Sequence, residues 1–532
     1  MHISVLINST IANQLTVILF GIELSQIKMI TSPIYFSLKS NLLLFLIILP
    51  LIGAFFLIWT KTKRNLYKIS LYVTLLNLWL SLFLLIFFDR SSSNFQFISE
   101  FDWLKSFNIN FCLGIDGISL YFVLLTTFLI PLCILATWER IHKNLKEYLI
   151  FFLLLESFLI LVFSLLDILL FYFFFEAILI PIFLIVGIWG SRERKIRAGY
   201  MLFFYTLVGS LFMLVAILAL YSLTGTTDYL YLINHPVDES LQKFFWFAFF
   251  ASFAVKVPML PFHVWLPEAH VEAPTTGSVL LAGILLKLGS YGFIRFSLPL
   301  FPAATVFFTP FIYTLASISI VYSSLTAIRQ TDMKRIIAYA SVAHMNVIMI
   351  GIFSLNFQGL EGAIFQQLAH GIVSSALFLC IGIIYERYGS RMLTEYKGIV
   401  HTMPLFAFFF FIYTLGNTGF PLTVNFVGEF LILSGTFQEN TSVAFLGATG
   451  MVLGACYSLW LFNRIIFGNL STEALTGFRD IRRREFFVQL PFFILTFLLG
   501  IGPEFVIDTF HTSTFNLIES IQQNLSTSFS NF

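Results

Sequence analysis

The sequence predicts an all-α polytopic membrane protein, and three observations carry that prediction. Hydrophobic residue types fill 58% of the 532 positions and charged types only 11%, where a soluble globular protein carries roughly 25% charged residues. Mean hydropathy is +0.89. The apolar residues are also gathered into fourteen segments, each near the length of about 20 residues that a helix needs to cross a hydrocarbon core of about 30 Å. The balance of 30 basic and 28 acidic residues, net +2, argues against a nucleic-acid partner. Cys112, Cys133, Cys380 and Cys456 stand far apart with no Cys-x-x-Cys pair, which argues against thiolate iron–sulfur or zinc sites.

The segments run approximately 41–59, 66–88, 118–137, 148–166, 168–189, 200–223, 244–262, 276–296, 303–327, 336–355, 363–385, 405–435, 443–467 and 486–509. Only short or charged connections separate them. Lipid offers no partner to backbone polar groups, so each segment must satisfy its own as a helix, and the continuity implies one bundled domain. Ahead of them, 3–22 is apolar but diluted by Asn8, Ser9, Thr10, Asn13 and Gln14, without a basic leader region or an arginine. It fits neither a secretory signal nor a transit peptide and reads as a short interfacial helix rather than a fifteenth span. The polar tail 510–532 reads as a surface or partner-contacting segment.

Charge alternates along the connections. Segments 5 and 6 are joined through Arg192, Glu193, Arg194, Lys195 and Arg197, and the connections 1–2, 3–4, 9–10, 11–12 and 13–14 are also basic. The connections 2–3 and 6–7 are acidic, with Asp89, Glu100, Asp102 and Asp116 in the first and Asp228, Asp238 and Glu239 in the second. Positive loops stay on the cytoplasmic or matrix side, so both termini are expected on the other. Connection 7–8 breaks the pattern with His263, Glu268, His270 and Glu272, where the chain is also rich in proline.

Ionisable groups inside a span are costly and point to function. At about 1.5 Å per residue, Glu176 lies roughly 12 Å into segment 5, Lys256 roughly 18 Å into segment 7 and Lys287 roughly 16 Å into segment 8. On the same rise, His344 lies roughly 12 Å into segment 10 and His370 roughly 10 Å into segment 11. All are near mid-depth, and Glu429 lies in segment 12, which is too broken to be placed by counting. Charges at one level on several helices suggest a polar layer parallel to the membrane. A buried glutamate–lysine pair has two states, ionised when close and neutral when separated. The plainer alternative makes such pairs inert staples, and for His344 and His370 a neutral interior histidine stands beside a proton relay.

Segments 7 and 12 read as broken helices. The first contains AVKVPMLPFHVWLP with Pro258, Pro261 and Pro267; the second contains YTLGNTGFPLTVNFVGEF with Gly416, Gly419, Pro421 and Gly428. Interior proline removes a helix hydrogen bond, and interrupted helices in matching places of two halves mark ion paths in transporters. Segments 4–8 and 9–13 suggest two five-helix repeats. In HVWLPEAH, His263, Glu268 and His270 offer metal-ligand types, but Pro267 interrupts the helix and the i, i+4 zincin spacing is absent. No Walker motif and no Gly-x-Gly-x-x-Gly after a strand occurs, so neither nucleotide nor flavin is expected.

The stretch KVPMLPFHVWLPEAHVEAPTTGSVLLAGILLKLGSYGFIRF at 256–296 resembles the signature of the antiporter-like proton-translocating subunits of respiratory complex I. LLFYFFFEAILIPIFLIVGIWGSR (169–192), QTDMKRIIAYASVAHMNVIMIG (330–351), LAHGIVSSALFLCIGIIYER (368–387) and NFVGEFLIL (425–433) match the same family. Their order resembles the NADH dehydrogenase subunit 4 branch, which includes the bacterial M subunit, and a glutamate at 429 favours that branch over its paralogues. The likeness runs from about 41 to 515, and the 67 phenylalanines suit an AT-rich organellar gene.

The resemblance implies fourteen core helices: helices 1–3 at 41–147 after an extension at 1–40, two inverted five-helix repeats at 148–296 and 303–467, and helix 14 with the tail at 468–532. It implies proton transfer from the mitochondrial matrix to the intermembrane space, driven by NADH:ubiquinone electron transfer elsewhere. No cofactor is expected in this chain; NAD, FMN, iron–sulfur clusters and ubiquinone would belong to other subunits. Expected partners are other membrane-arm subunits, including paralogous antiporter-like ones, and lipids of the inner mitochondrial membrane. By position, Glu176 would partner Lys256, Lys287 would be the central relay, His344 would link two half-channels and Glu429 would be the terminal proton group, with His263 and His370 as further relay candidates. Two other readings are an Mrp-type cation/proton antiporter subunit and an anchoring subunit that no longer pumps. The sequence departs from the family in the first 40 residues, and at Pro421, Leu422 and Thr423 where Pro-Gly-Thr is usual; leucine lacks glycine's backbone freedom.

Overall fold

The computed structural model describes residues 33–469, apart from Glu139 and His142, and residues 477–530. The expectation for 3–22 lies outside the described residues. Helices α1 (Pro33–Trp59), α2 (Lys63–Phe87), α3 (Gly117–Thr137), α4 (Leu145–Ser164), α5 (Ile168–Trp189) and α6 (Lys195–Thr224) come first. There follow α7 in two pieces (α7a, Glu239–Lys256; α7b, Trp265–Glu272), α8 (Thr275–Leu300), α9 (Pro302–Arg329), α10 (Met333–Phe353) and α11 (Phe357–Tyr388). The chain continues with α12 in two pieces (α12a, Pro404–Asn417; α12b, Val424–Glu439), α13 (Thr441–Ile466), α14 (Arg483–Ile501) and α15 (Glu504–Ser530). Among the described residues twelve helices, α1–α6, α8–α11, α13 and α14, are long and apolar enough to cross a membrane.

Short polar residues start the spans where the sequence places them. Asp116, Asp167, Asn356 and Asn440 each accept a hydrogen bond from a backbone N–H in the first turn of α3, α5, α11 and α13, groups that have no partner inside the helix. The centre of the bundle is α8, α10 and α11. The apolar stretch of α8 is buried along its whole length and those of α10 and α11 over 94%, against 28% for α2 and α14. Polar groups on the central three therefore face protein, and the outer helices carry the apolar surface. α8 contains two π turns, Leu281–Leu285 and Phe293–Ser297.

Three features differ from the sequence-based expectation. The all-α prediction missed an antiparallel hairpin between α2 and α3, β1 (Gln96–Leu104) and β2 (Ile109–Ile115); it turns at Asn108 with φ +51, a conformation asparagine tolerates. The apparent loop that broke the charge alternation is α7b, a half-helix whose His270 and Glu272 are buried and whose half-buried Glu268 is paired with Arg335, so its charges are not those of a connecting loop. Helix α1 starts at Pro33, and its apolar span, Asn41–Trp59, has the expected bounds. The tail is a continuous helix lying on the bundle: the Ser513 hydroxyl accepts from the Gly117 N–H at 3.2 Å and His511 Nδ1 meets Glu361 at 2.6 Å.

Candidate functional site

Four groups chosen from the sequence, Lys287, His370, His344 and Glu429, form one line through the buried centre. Fully buried Lys287 on α8 places Nζ 2.8 Å from His370 Nδ1 on α11. The same ammonium donates to the Ala282 carbonyl, five residues back and inside the first π turn; π turns disturb the regular carbonyl ladder and recur at functional sites. The His370 and His344 ring centroids are 5.7 Å apart. His344 Nδ1 on α10 lies 3.1 Å from Glu429 Oε1 on α12b, and Gln366 Nε2 of α11 donates to the same oxygen at 3.2 Å. Each imidazole leaves Nε2 buried and unpaired. A neutral ring with one donor and one acceptor can take a proton at one nitrogen and release it from the other.

Close backbone packing makes this possible. A Cβ on Gly428 would sit 2.5 Å from Gln366 Oε1, so glycine lets α11 and α12b approach until Gln366 and Glu429 touch. The α12 break spans 418–423. Gly419 has φ +67, and a side chain there would meet Glu429 Oε2 at 2.5 Å. Leu422 has φ +76 and is 60% exposed. It therefore adopts a left-handed conformation that glycine takes more easily, which costs a leucine roughly 1–2 kcal/mol, and its side chain avoids the core by pointing outward.

Glu176 and Lys256 are arranged otherwise. Buried Lys256, the last residue of α7a, donates to the Phe175 carbonyl at 2.8 Å and sits 3.3 Å from the centroid of the Phe175 ring. The carboxylate of the next residue, Glu176, leaves Oε1 buried and unpartnered and has Ser210 beside it. The ammonium is thus docked on the backbone next to Glu176, within electrostatic reach of the carboxylate. Among the described residues no hydrogen bond joins Lys256 to Lys287. His263 stands apart from the line: it is buried in the α7 break beside Tyr322 and Tyr339, with ring centroids at 5.6 and 6.3 Å.

At the far end of α8, Arg295 reaches Asp116, the N-cap of α3, at 2.6 Å, and its guanidinium lies 5.0 Å from the Phe95 ring centroid. Burial alone would push the Asp116 carboxyl up, but the guanidinium outweighs it and holds the group below the usual carboxylate range. Among the described residues no three His, Cys, Asp or Glu side chains converge as a metal ion would require. Glu268 pairs with Arg335, and the His270 ring stacks on Phe378.

Sequence reasoning missed two kinds of residue. Glu156 on α4 is fully buried and accepts from Asn77 Nδ2 at 2.8 Å; as an acid inside LLLESFLI it carried the same signal as Glu176. Lys334 and Arg391 were counted as loop charges. They are buried, and only the tertiary fold reveals that.

The fold is shared with chains of two solved complexes. It matches a chain of respiratory complex I from Thermus thermophilus with bound NADH at TM-score 0.83 and 28% identity, covering 90% of this chain and 99% of that one. It matches a chain of the Mrp complex from Dietzia sp. DQ12-45-1b at TM-score 0.81 and 20% identity, covering 91% and 99%, a likeness of fold alone. Residues 166–456 match the family described as NADH:quinone oxidoreductase/Mrp antiporter, TM, and residues 44–166 the amino terminus of NADH-ubiquinone oxidoreductase chain 4. NADH-ubiquinone oxidoreductase chain 4 of Arabidopsis thaliana is 55% identical over 487 residues, 91% of this chain and 97% of that protein. The chain belongs to the NADH-ubiquinone oxidoreductase chain 4 family.

Proposed function

We propose that Glu176, Lys256, Lys287, His370, His344 and Glu429 carry protons in single file through this subunit, with Glu429 as the terminal group. Chain 4 is a multi-pass membrane subunit of NADH:ubiquinone oxidoreductase, respiratory complex I, and is involved in proton translocation. The observation that supports the residue assignment best is the unbroken run from Lys287 through His370 and His344 to Glu429, made by four different helices. A proton leaving Lys287 Nζ passes to His370, crosses the paired imidazoles and reaches the Glu429 carboxylate. Gln366 holds that carboxylate in place. Lys256 and Glu176 form the switch: moving the ammonium from the Phe175 carbonyl to the carboxylate, or away from it, changes the charge that Lys287 faces.

The switch must supply energy of the right size. Moving one charge against 100 mV takes about 2.3 kcal/mol, and breaking a buried ion pair is worth about 3–5 kcal/mol. No step requires a redox centre here, so NAD, FMN, iron–sulfur clusters and ubiquinone are assigned to other subunits, and the driving energy arrives through neighbours, including paralogous antiporter-like subunits and lipids. On this reading α1–α14 are fourteen spans, with α4–α8 and α9–α13 as inverted five-helix repeats broken at α7 and α12. The extension 1–40, helices 1–3 at 41–147 and the segment 468–532 flank them. The subunit sits in the inner mitochondrial membrane with basic loops in the matrix and both termini in the intermembrane space. His263 is left without a transfer role.

The Mrp-type reading draws on the shared fold and on a family description that covers both kinds of protein, whereas the 55% identity is to a chain 4 protein. An anchoring subunit would gain nothing from such costly buried groups. The test is Lys256→Ala or Glu176→Ala in intact, reconstituted complex: assembly is kept and the proton-to-electron ratio falls. A wild-type ratio in assembled variants overturns the assignment.

A further inference from the structure

The line just described needs a supply. The ends of the basic connections gather around one cavity of about 1300 Å³, whose walls include Arg140, Lys195, Lys334 and Arg482. Lys334, in the first turn of α10, is buried at its inner edge, with Nζ donating to the Ala273 carbonyl at 2.8 Å and to Ser278 Oγ at 3.3 Å. Ser278 Oγ in turn donates to the carbonyl of His270, in the last turn of α7b, at 3.0 Å. His270 is fully buried, and both of its ring nitrogens lack a partner. Its ring is stacked on Phe378, centroids 4.8 Å apart, so the imidazole is held in plane with its nitrogens uncommitted.

The position of that ring along α8 is informative. Lys334 grips α8 at Ser278, and Lys287 Nζ folds back to Ala282. Those two points are four residues apart, a rise of about 6 Å. His270 lies within electrostatic reach of both ammonium groups, and of His370 beyond. A buried imidazole with both nitrogens uncommitted, within electrostatic reach of a lysine in a cavity wall and of a lysine at the head of the proton line, is placed to serve as a connecting link.

We propose that Lys334 and His270 are an inlet limb that feeds protons from this cavity to the Lys287–His370 pair. The proposal rests on the proton-transfer reading above and adds the residues that load it. Lys334 Nζ, when neutral, takes a proton from cavity water and gives it to one His270 nitrogen. The ring then releases the proton on its other nitrogen to Lys287. Only N–H bonds form and break, and no electron moves. Glu272, Asp332 and Arg391 surround the limb: Arg391 donates to the Val271 carbonyl and lies 3.6 Å from Glu272 and 3.7 Å from Asp332. Arg391 against Glu272 and Asp332 leaves one net negative charge beside Lys334, which favours its taking up a proton, while Arg391 keeps the two carboxylates company when Lys334 gives the proton away.

The rival role for Lys334 is a staple between α10 and α8, and arginine separates the two. Arginine keeps the positive charge and the donors but does not release a proton. In intact complex reconstituted into liposomes, with subunit content checked, Lys334→Arg and His270→Gln are each expected to lower the proton-to-electron ratio, with quinone reduction measured in parallel. A staple would be rescued by Lys334→Arg, and a wild-type ratio in that variant overturns the inlet. Should Lys334→Met fail to assemble, Lys334→Arg and His270→Gln decide. Lys287→Met is the control: a wild-type ratio there removes the underlying proton line, whereas a lowered ratio in Lys287→Met beside wild-type ratios in the other two removes only the inlet.

Discussion

The α12 end of the polar line and its α5–α7 end are built on different principles. From Lys287 to Glu429 each group lies against the next, and Gln366 fixes the terminal carboxylate. At the other end Lys256 rests on the carbonyl and ring of Phe175 while Glu176 keeps an oxygen unpaired. A joined row of neutral and charged groups passes protons but cannot decide when. A lysine held by a backbone carbonyl, one residue from a carboxylate that would bind it more strongly, has two resting places. On the proposed reading the difference separates two parts of one proton line: a continuous run on α8, α10, α11 and α12b, and a switch on α5 and α7a.

The largest effect is expected from cutting the conducting end. Lys287→Met removes the side chain that joins α8 to His370, and proton pumping by assembled complex should fall more than tenfold, over about 1.4 kcal/mol in the barrier; pumping assayed with a pH-sensitive dye in sealed vesicles checks it. Next comes Gly428→Ala. Its methyl would meet Gln366 at 2.5 Å and push α12b from α11, so pumping should drop several-fold while Lys256 chemistry is untouched. At the controlling end Phe175→Leu keeps the carbonyl but removes the ring, a contact worth about 0.5–2 kcal/mol. The expected result is a two- to threefold change in the coupled rate with an unaltered proton-to-electron ratio; a collapse of the ratio would erase the distinction between the two ends. The smallest effect is at Leu422→Gly, which relieves the left-handed leucine and should raise thermal stability by about 1 kcal/mol, read as the unfolding midpoint of the complex.

How much of this was legible in the sequence depends on the physics each feature obeys. Spans, caps and both helix breaks follow from local composition, and proline and glycine marked 257–264 and 418–423 directly. The five buried groups and the half-buried Glu176 were visible because ionisable residues in apolar runs are conspicuous. Their order in space was not, since it depends on which helices cross, and crossing is set by close approaches such as Gly428 on Gln366. Lys334, His270 and Arg391 looked like loop charges because the half-helix α7b folds back into the bundle and buries a stretch that reads as a connection. Glu156 needed no structure; the rule applied to Glu176 would have found it. The hairpin at 96–115 was overlooked because two short strands leave a weak period-two pattern beside spans of twenty residues.

The central claim is that buried side chains at mid-depth hand protons to Glu429. The most direct test is the proton-to-electron ratio of intact, reconstituted complex carrying Glu429→Gln, which keeps the shape and the Gln366 neighbour but cannot accept the proton. A lowered ratio with normal assembly is the predicted result. A ratio equal to wild type would mean that protons do not travel this way.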